Sequence, residues 1–184
     1  MILPIVAYGD PVLRKKSENI TSDYPGLETL IQNMFETMYA SHGVGLAAPQ
    51  IGKAINLFLV DTHPFEDEKY PNLKKVFINT EILQETGNEW EYEEGCLSIP
   101  HIRENVSRQA TLTIRYQNEK FETFTETYDG IAARVIQHEY DHCMGVLFVD
   151  HLSELKKRML KNKLTKISKG EVDVAYRMRF PAAR

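Results

Sequence analysis

Asp129-Gly130-Ile131-Ala132-Ala133-Arg134-Val135-Ile136-Gln137-His138-Glu139-Tyr140-Asp141-His142-Cys143-Met144-Gly145 is the stretch on which the reading of the fold turns. It predicts a helix from Ile131 to about Met144, with Asp129 as a suitable N-cap and Gly145 as a left-handed stop. Within it, His138 and His142 stand four residues apart, so both imidazoles leave the same helix face. Two rings at that spacing can grip one metal ion. Glu139, beside the first, can then reach a water molecule at the ion as general base.

Working outward, the preceding segments alternate as strands do. Asn56 to Val60, Val76 to Leu83 and Glu89 to Glu93 read as strands, and Thr111 to Tyr116 pairs with Phe121 to Tyr128 as a hairpin turning through residues 117–120. Thr62 to Leu73 is a surface loop, broken by His63-Pro64 and Tyr70-Pro71. Nearer the N-terminus, residues 7–20 are polar and turn-rich. A first helix follows, carrying Leu27, Leu30, Ile31, Met34, Phe35, Met38 and Tyr39 as one apolar stripe. His42-Gly43 ends it, with the glycine as the expected left-handed cap. After the His-bearing helix, Ser153 to Ile167 predicts a third, with Leu155, Met159, Leu160, Leu164 and Ile167 turned inward. The tail from Glu171 to Phe180 alternates and either adds a strand or lies extended. A strand-rich middle followed by helix argues for an α+β fold. Antiparallel or mixed sheets pack around the central HExxH helix, flanked by an N-terminal helix and by a C-terminal helix with an extended tail.

Composition narrows the class. The chain has 184 residues, 42% hydrophobic and 26% charged, with a formal net charge of -4. That is enough for one domain with a core, and it excludes a globally basic nucleic-acid binder. Met1 to Val6 is apolar but too short for a secretory signal, and Pro4 interrupts it. No stretch is long and apolar enough to cross a bilayer. Two cysteines, Cys96 and Cys143, make no disulfide framework, so a cytoplasmic, reducing setting is expected.

Two imidazoles do not complete a catalytic site, which needs a third protein ligand and an open position. Downstream the only histidine is His151, nine residues beyond His142 with Gly145 between them. Upstream, Glu94-Gly95-Cys96-Leu97-Ser98 offers a cysteine framed by glycine and by a turn-like Ser98-Ile99-Pro100. That sulfur is either a ligand or a buried apolar group. Gly43-Val44-Gly45-Leu46-Ala47-Ala48-Pro49-Gln50 allows close backbone approach, and the Gln50 amide could donate to a developing oxyanion. It can equally be a tight helix-to-strand connection, and its glycine spacing does not suit a phosphate loop. Arg134 is a pocket wall or a solvated helix residue. Cys143 points about 100 degrees away from His142 on an ideal helix and reads as packing.

Taken together and in order, Gly43 to Gln50, Glu94 to Ser98 and Gln137 to His142 resemble the three motifs of the peptide deformylase family. The similarity extends to Tyr8-Gly9-Asp10-Pro11-Val12-Leu13-Arg14 and to the stretch from Cys96 through Arg103, over most of residues 1–165. The resemblance implies a catalytic domain over residues 1–167 and an extended tail over 168–184. It implies that Cys96, His138 and His142 bind one divalent ion, typically Fe2+, with Zn2+, Ni2+ or Co2+ able to take the site. It implies hydrolysis of the N-formyl group from the first methionine of nascent polypeptides. Glu139 would be the acid–base, with the Gln50 amide and the Leu97 backbone N–H stabilising the oxyanion. Gly45 would hold the substrate backbone, Val44 would line the methionine pocket, and Glu94 and Arg103 would support the site. Lys156, Lys157, Arg158, Lys161, Lys163, Lys166 and Lys169 form either a solvated face or, as in some family members, a ribosome contact. No DNA and no membrane partner is expected. Two other functions share parts of the pattern. One is an HExxH metalloprotease, which needs a downstream third ligand and a long cleft. The other is a non-catalytic module with a closed structural metal cage that recruits Cys143.

Overall fold

In the computed structural model, which describes residues 1–181, five strands form one antiparallel sheet in the order β2-β3-β4-β5-β6. They are β2 Gly45–Ala47, β3 Leu57–Asp61, β4 Lys74–Cys96, β5 Ile99–Gln117 and β6 Thr123–Asp129. A two-stranded parallel pair joins β1 Ile5–Val6 to β7 Met178–Arg179. Three helices complete the fold: α1 Leu27–Ala40, α2 Gly130–Cys143 and α3 Glu154–Ser168. The expected α+β class is what is found.

The sheet is covered on both faces, and β3 shows why. Its residues Leu57 to Asp61 are all buried. Leu57 and Leu59 pack with Met34 and Met38 of α1, whereas Phe58 and Val60 pack with Ala133 and Ile136 of α2. Successive side chains of a strand point to opposite faces, so a continuous apolar run marks a strand sandwiched between two helices. A third cluster sits where the far half of β5, through Ile99, Ile102 and Val106, meets Leu160, Leu164 and Ile167 of α3.

β4 and β5 are unusually long. They pair from Ile78 opposite Gln117 down to Cys96 opposite Ile99, with register shifts at Ile78/Glu81, Ile82/Gln84, Thr86/Glu89 and Gly95/Cys96. Such bulges bend and twist a ribbon. The two expected strands at Val76–Leu83 and Glu89–Glu93 are therefore one strand, carried through an exposed, irregular stretch in which Gly87 has φ 83°. The turn-like Ser98-Ile99-Pro100 opens β5, and the strand through residues 99–110 was not anticipated.

Three local expectations need correction. The left-handed residue after α1 is His42 (φ 58°), not Gly43. Gly43 packs closely instead, since a Cβ there would lie 2.9 Å from Leu97 Cδ1 and push that side chain aside. Asp129 stands at the N-cap of α2 but makes no capping bond, because its carboxylate pairs with Lys69 and with the Tyr70 hydroxyl. On α3, Leu155 and Met159 are 69% and 71% exposed, not inward. At 100° per residue they sit too far round from the buried Leu160, Leu164 and Ile167 stripe. The tail does both things allowed for it: Val172, Val174, Tyr176, Met178 and Phe180 face inward half-buried, and residues 178 and 179 form β7.

Candidate active site and metal centre

α2 crosses the sheet face with His138 and His142 one turn apart, their ring centroids separated by 5.1 Å. The bulged hairpin turn between β4 and β5 presents Cys96 to them. Its Sγ lies 3.3 Å from His142 Nε2, and one donor atom from each of Cys96, His138 and His142 lies within 4.8 Å of the others. Ligands at about 2.0–2.3 Å from one ion are roughly 3.5 Å apart in tetrahedral geometry, so the three donors suit a common ion. One thiol and two imidazoles form a donor set for a borderline or soft divalent metal. One further atom fits an open site: Glu139 Oε2 is buried with no partner among the described residues.

Glu94 organises this cluster. Its Oε1 accepts from Arg108 Nη2 at 3.1 Å and stands 2.9 Å from His138 Nδ1. Its Oε2 accepts from Arg108 Nε at 2.8 Å and Arg134 Nη1 at 3.0 Å. Burial alone would raise the carboxyl pKa, but the His138 and Arg108 hydrogen bonds reverse this and hold it well below the carboxylate range. The contact at Nδ1 fixes the His138 ring with Nε2 free to ligate. Arg134 is a pocket wall rather than a solvated residue. It is buried, donates to the Trp90 and Val106 carbonyls, and lies 4.6 Å from the Trp90 ring centre.

Glu139 is the other buried carboxyl. Desolvation raises its pKa to about 7, with Glu94 adding to the rise and His138 opposing it. Gly45 lies against it: a Cβ on Gly45 would come within 2.5 Å of Glu139 Oε1. Gln50 sits on the short 3-10 turn Ala48–Ile51. Its Oε1 accepts from the Ala47 N–H at 3.0 Å, which turns Nε2 toward Ser98 Oγ at 3.3 Å and Cys96 Sγ at 3.5 Å. These residues line a groove of about 310 Å3 together with Val44, Leu97, Tyr92 and Arg103.

All ten residues singled out from the sequence thus border one site, though not equally. Arg103 sits on the rim, paired with Glu93, with a side chain 60% exposed. The arginine clamping Glu94 from both sides is Arg108, which the sequence reading missed. The alternation of buried Ile102, Val106, Leu112 and Ile114 along β5 places Arg108 on the inner face, where a charge needs a partner. His151 bonds to Asp141 at 2.8 Å rather than joining the cluster. Cys143 is buried in the core, its thiol 3.7 Å from the Leu57 carbonyl.

Comparison with known proteins agrees with this geometry. A model of the polypeptide deformylase family matches residues 2–158. The peptide deformylase of Christiangramia forsetii is 57% identical over 193 aligned positions, covering 100% of this chain and 98% of that one. That of Cytophaga hutchinsonii is 56% identical, covering 98% of each. The crystal structure of a peptide deformylase from Legionella pneumophila superposes with a TM-score of 0.80 at 41% identity, covering 93% of this chain and 98% of that one. These relatives support the deformylase reading rather than a metalloprotease or a structural-metal module. In its motifs, its fold and its Cys-His-His cluster, the chain belongs to the polypeptide deformylase family, metal-dependent enzymes that remove the N-formyl group.

Proposed function

We propose that this groove hydrolyses the formyl amide of N-formylmethionyl nascent polypeptides in the cytoplasm, releasing formate. The observation that carries the reading is the convergence of Cys96, His138 and His142 on one point beside a buried, otherwise unpartnered Glu139. Those three side chains would hold one divalent ion, Fe2+ by the family resemblance, although a thiolate and two imidazoles also accept Zn2+, Ni2+ or Co2+. When bound, the ion supplies Lewis acidity, polarising a carbonyl and making water acidic enough to react near neutral pH.

The chain's own groups do the rest. Glu139 takes a proton from the attacking water at its free Oε2 and later delivers it to the amine nitrogen as the C–N bond breaks. Burial in the groove disfavours the charged carboxylate, which favours its taking up the proton. As the formyl carbon becomes tetrahedral, Gln50 Nε2 and the Leu97 N–H donate to its oxygen. Losing one such donor typically costs about 3 kcal/mol of barrier. Gly45, without a side chain, lets the substrate backbone pass over Glu139, and Val44 lines the methionine pocket. Glu94 orients His138, while Arg103 contacts the substrate from the rim.

The basic face of α3 is the proposed ribosome contact. Lys156 and Lys157 are paired with Glu104 and Glu154, which leaves Arg158, Lys161, Lys163, Lys166 and Lys169 for phosphates. Cosedimentation with ribosomes that weakens steeply with salt is the expected result. The reaction itself is tested by formate release from a short formyl-Met peptide, using anaerobically purified protein. Glu139→Gln should lower kcat by at least a hundredfold; equal activity in the two proteins removes Glu139 from its role.

A further inference from the structure

The turn that carries Cys96, Leu97 and Ser98 is held from outside by the C-terminal tail. The Tyr176 hydroxyl donates to the Leu97 carbonyl at 2.7 Å. The Tyr8 N–H donates to the Ser98 carbonyl at 2.9 Å, and Tyr8 directly follows the β1 segment that pairs with the tail. That pairing is explicit, since Ile5 N–H donates to Arg177 O and Ala7 N–H to Arg179 O, both at 2.9 Å. Further back, a His101 ring nitrogen lies 2.5 Å from the Asp173 carbonyl. The tail is therefore tied down on either side of Tyr176 and crosses the back of the turn as a strap. It lies beyond residue 158, where the match to the family model ends.

We propose that Tyr176 is a positioning residue for the reaction: through the Leu97 carbonyl it fixes the orientation of the Cys96–Ser98 turn, and with it the Leu97 N–H. This rests on the reading of that N–H as an oxyanion donor. The physical argument concerns degrees of freedom. Cys96 is fixed by its paired strand and Ser98 by Tyr8 and Gln50. The Leu97–Ser98 peptide plane between them is turned by its carbonyl, and the Tyr176 bond sets that turn. Rotating this plane changes ψ of Leu97 and, through the connected chain, the direction of the preceding N–H. A donor aimed at a developing charge acts only within a narrow range of distance and angle. Phenylalanine at 176 would keep the ring in its half-buried seat and remove only the bond.

The experiment uses the full-length, metal-loaded chain with Tyr176→Phe and a formyl-Met peptide. Expected are a kcat lowered about tenfold, a KM within about twofold, and unchanged metal content and melting temperature. Amide exchange should quicken at Tyr8, whose N–H donates to the Ser98 carbonyl of the turn, while residues in the middle of β5 keep their protection. Unchanged kcat overturns the proposal, whether or not exchange at the turn has quickened. A general loss of protection across the sheet also overturns it, because the residue would then be a stability element. If the wild-type chain itself releases no formate, the proposed reaction fails. The exchange data alone then judge the strap, with unchanged protection at Tyr8 refuting it and a local loss supporting it.

Discussion

A methyl group added at Gly45 should disable this site without touching a metal ligand. Gly45 lies in β2, is buried, and has an ordinary extended backbone, so alanine is allowed there conformationally. In such a position glycine-to-alanine normally stabilises by about 0.4–1 kcal/mol, because the unfolded chain loses freedom. Here the sign should reverse. The new Cβ would lie 2.5 Å from Glu139 Oε1, 2.7 Å from its Cγ and 2.8 Å from its Cδ, all well inside van der Waals contact. Glu139 is only 4% exposed and has little room to retreat. Overpacking of this kind costs about 1–3 kcal/mol. For a chain of this length that lowers the melting temperature by roughly 2–12 °C. Displacing the general base should also lower kcat by about 10²–10⁴-fold while bound metal stays at one per chain. Differential scanning calorimetry, formate release and metal analysis on Gly45→Ala read the three quantities separately. The decisive control is a double-mutant cycle. In a Glu139→Ala background the clash is gone, so Gly45→Ala should cost nothing or stabilise. A Gly45→Ala protein as stable and as active as wild type refutes the packing argument. So does a cost that persists undiminished in the Glu139→Ala background.

Glu94→Gln should be among the most damaging single changes outside the ligands. It leaves Arg108 and Arg134, with side chains 7% and 2% exposed, facing a neutral amide, and breaking such a buried pair typically costs about 3–5 kcal/mol. It also frees the His138 ring, so metal affinity should fall by about 10–100-fold, measured by competition with a chelator. Cys143→Ala should leave metal content unchanged and cost only modest stability, since the thiol faces the core and the Leu57 carbonyl; loss of the metal would place Cys143 in the coordination shell. Acid sensitivity should have a source in Glu126. Burial would raise its pKa, but Lys75, Tyr116 and Tyr128 hold it below the ordinary value of 4.5. A depressed carboxyl stabilises the fold above its unfolded pKa, and that contribution is lost as pH falls through the folded value. Urea midpoints of wild type and Glu126→Gln should therefore differ at pH 7 and converge toward pH 3; a gap that stays constant with pH assigns the effect to packing instead.

What was legible in the sequence was what depends on local periodicity. α2 and its paired histidines could be read directly, because helical spacing alone places His138 and His142 on one face. The alternating strands and the α+β class followed in the same way. The third donor was different. From the residues alone Cys96 could be a ligand or a buried thiol, because its placement depends on where a 23-residue strand turns back on a 19-residue one. Gly95 and Ser98-Ile99-Pro100 signal a turn beside Cys96, but not which groups that turn faces. One of the four register shifts that bend the hairpin, Thr86/Glu89, falls in Glu85-Thr86-Gly87-Asn88, which resembles a loop when read locally and is strand only because β5 pairs alongside it. The same cause hid Arg108. Once residues 99–117 are recognised as one strand, its even positions face the core, and a buried guanidinium there requires an anion. Glu94, sitting across the ladder on β4, is that anion. The Glu94 carboxylate thus does two jobs that the sequence shows only as separate residues. With Asp141, which pairs with Arg108 at 2.8 Å, it balances two buried arginines that anchor the sheet to α2, and it orients the imidazole that approaches the Cys96 sulfur. A site built this way cannot loosen its metal face without also exposing unpaired charge in the core, which ties the geometry of the catalytic groups to the stability of the fold.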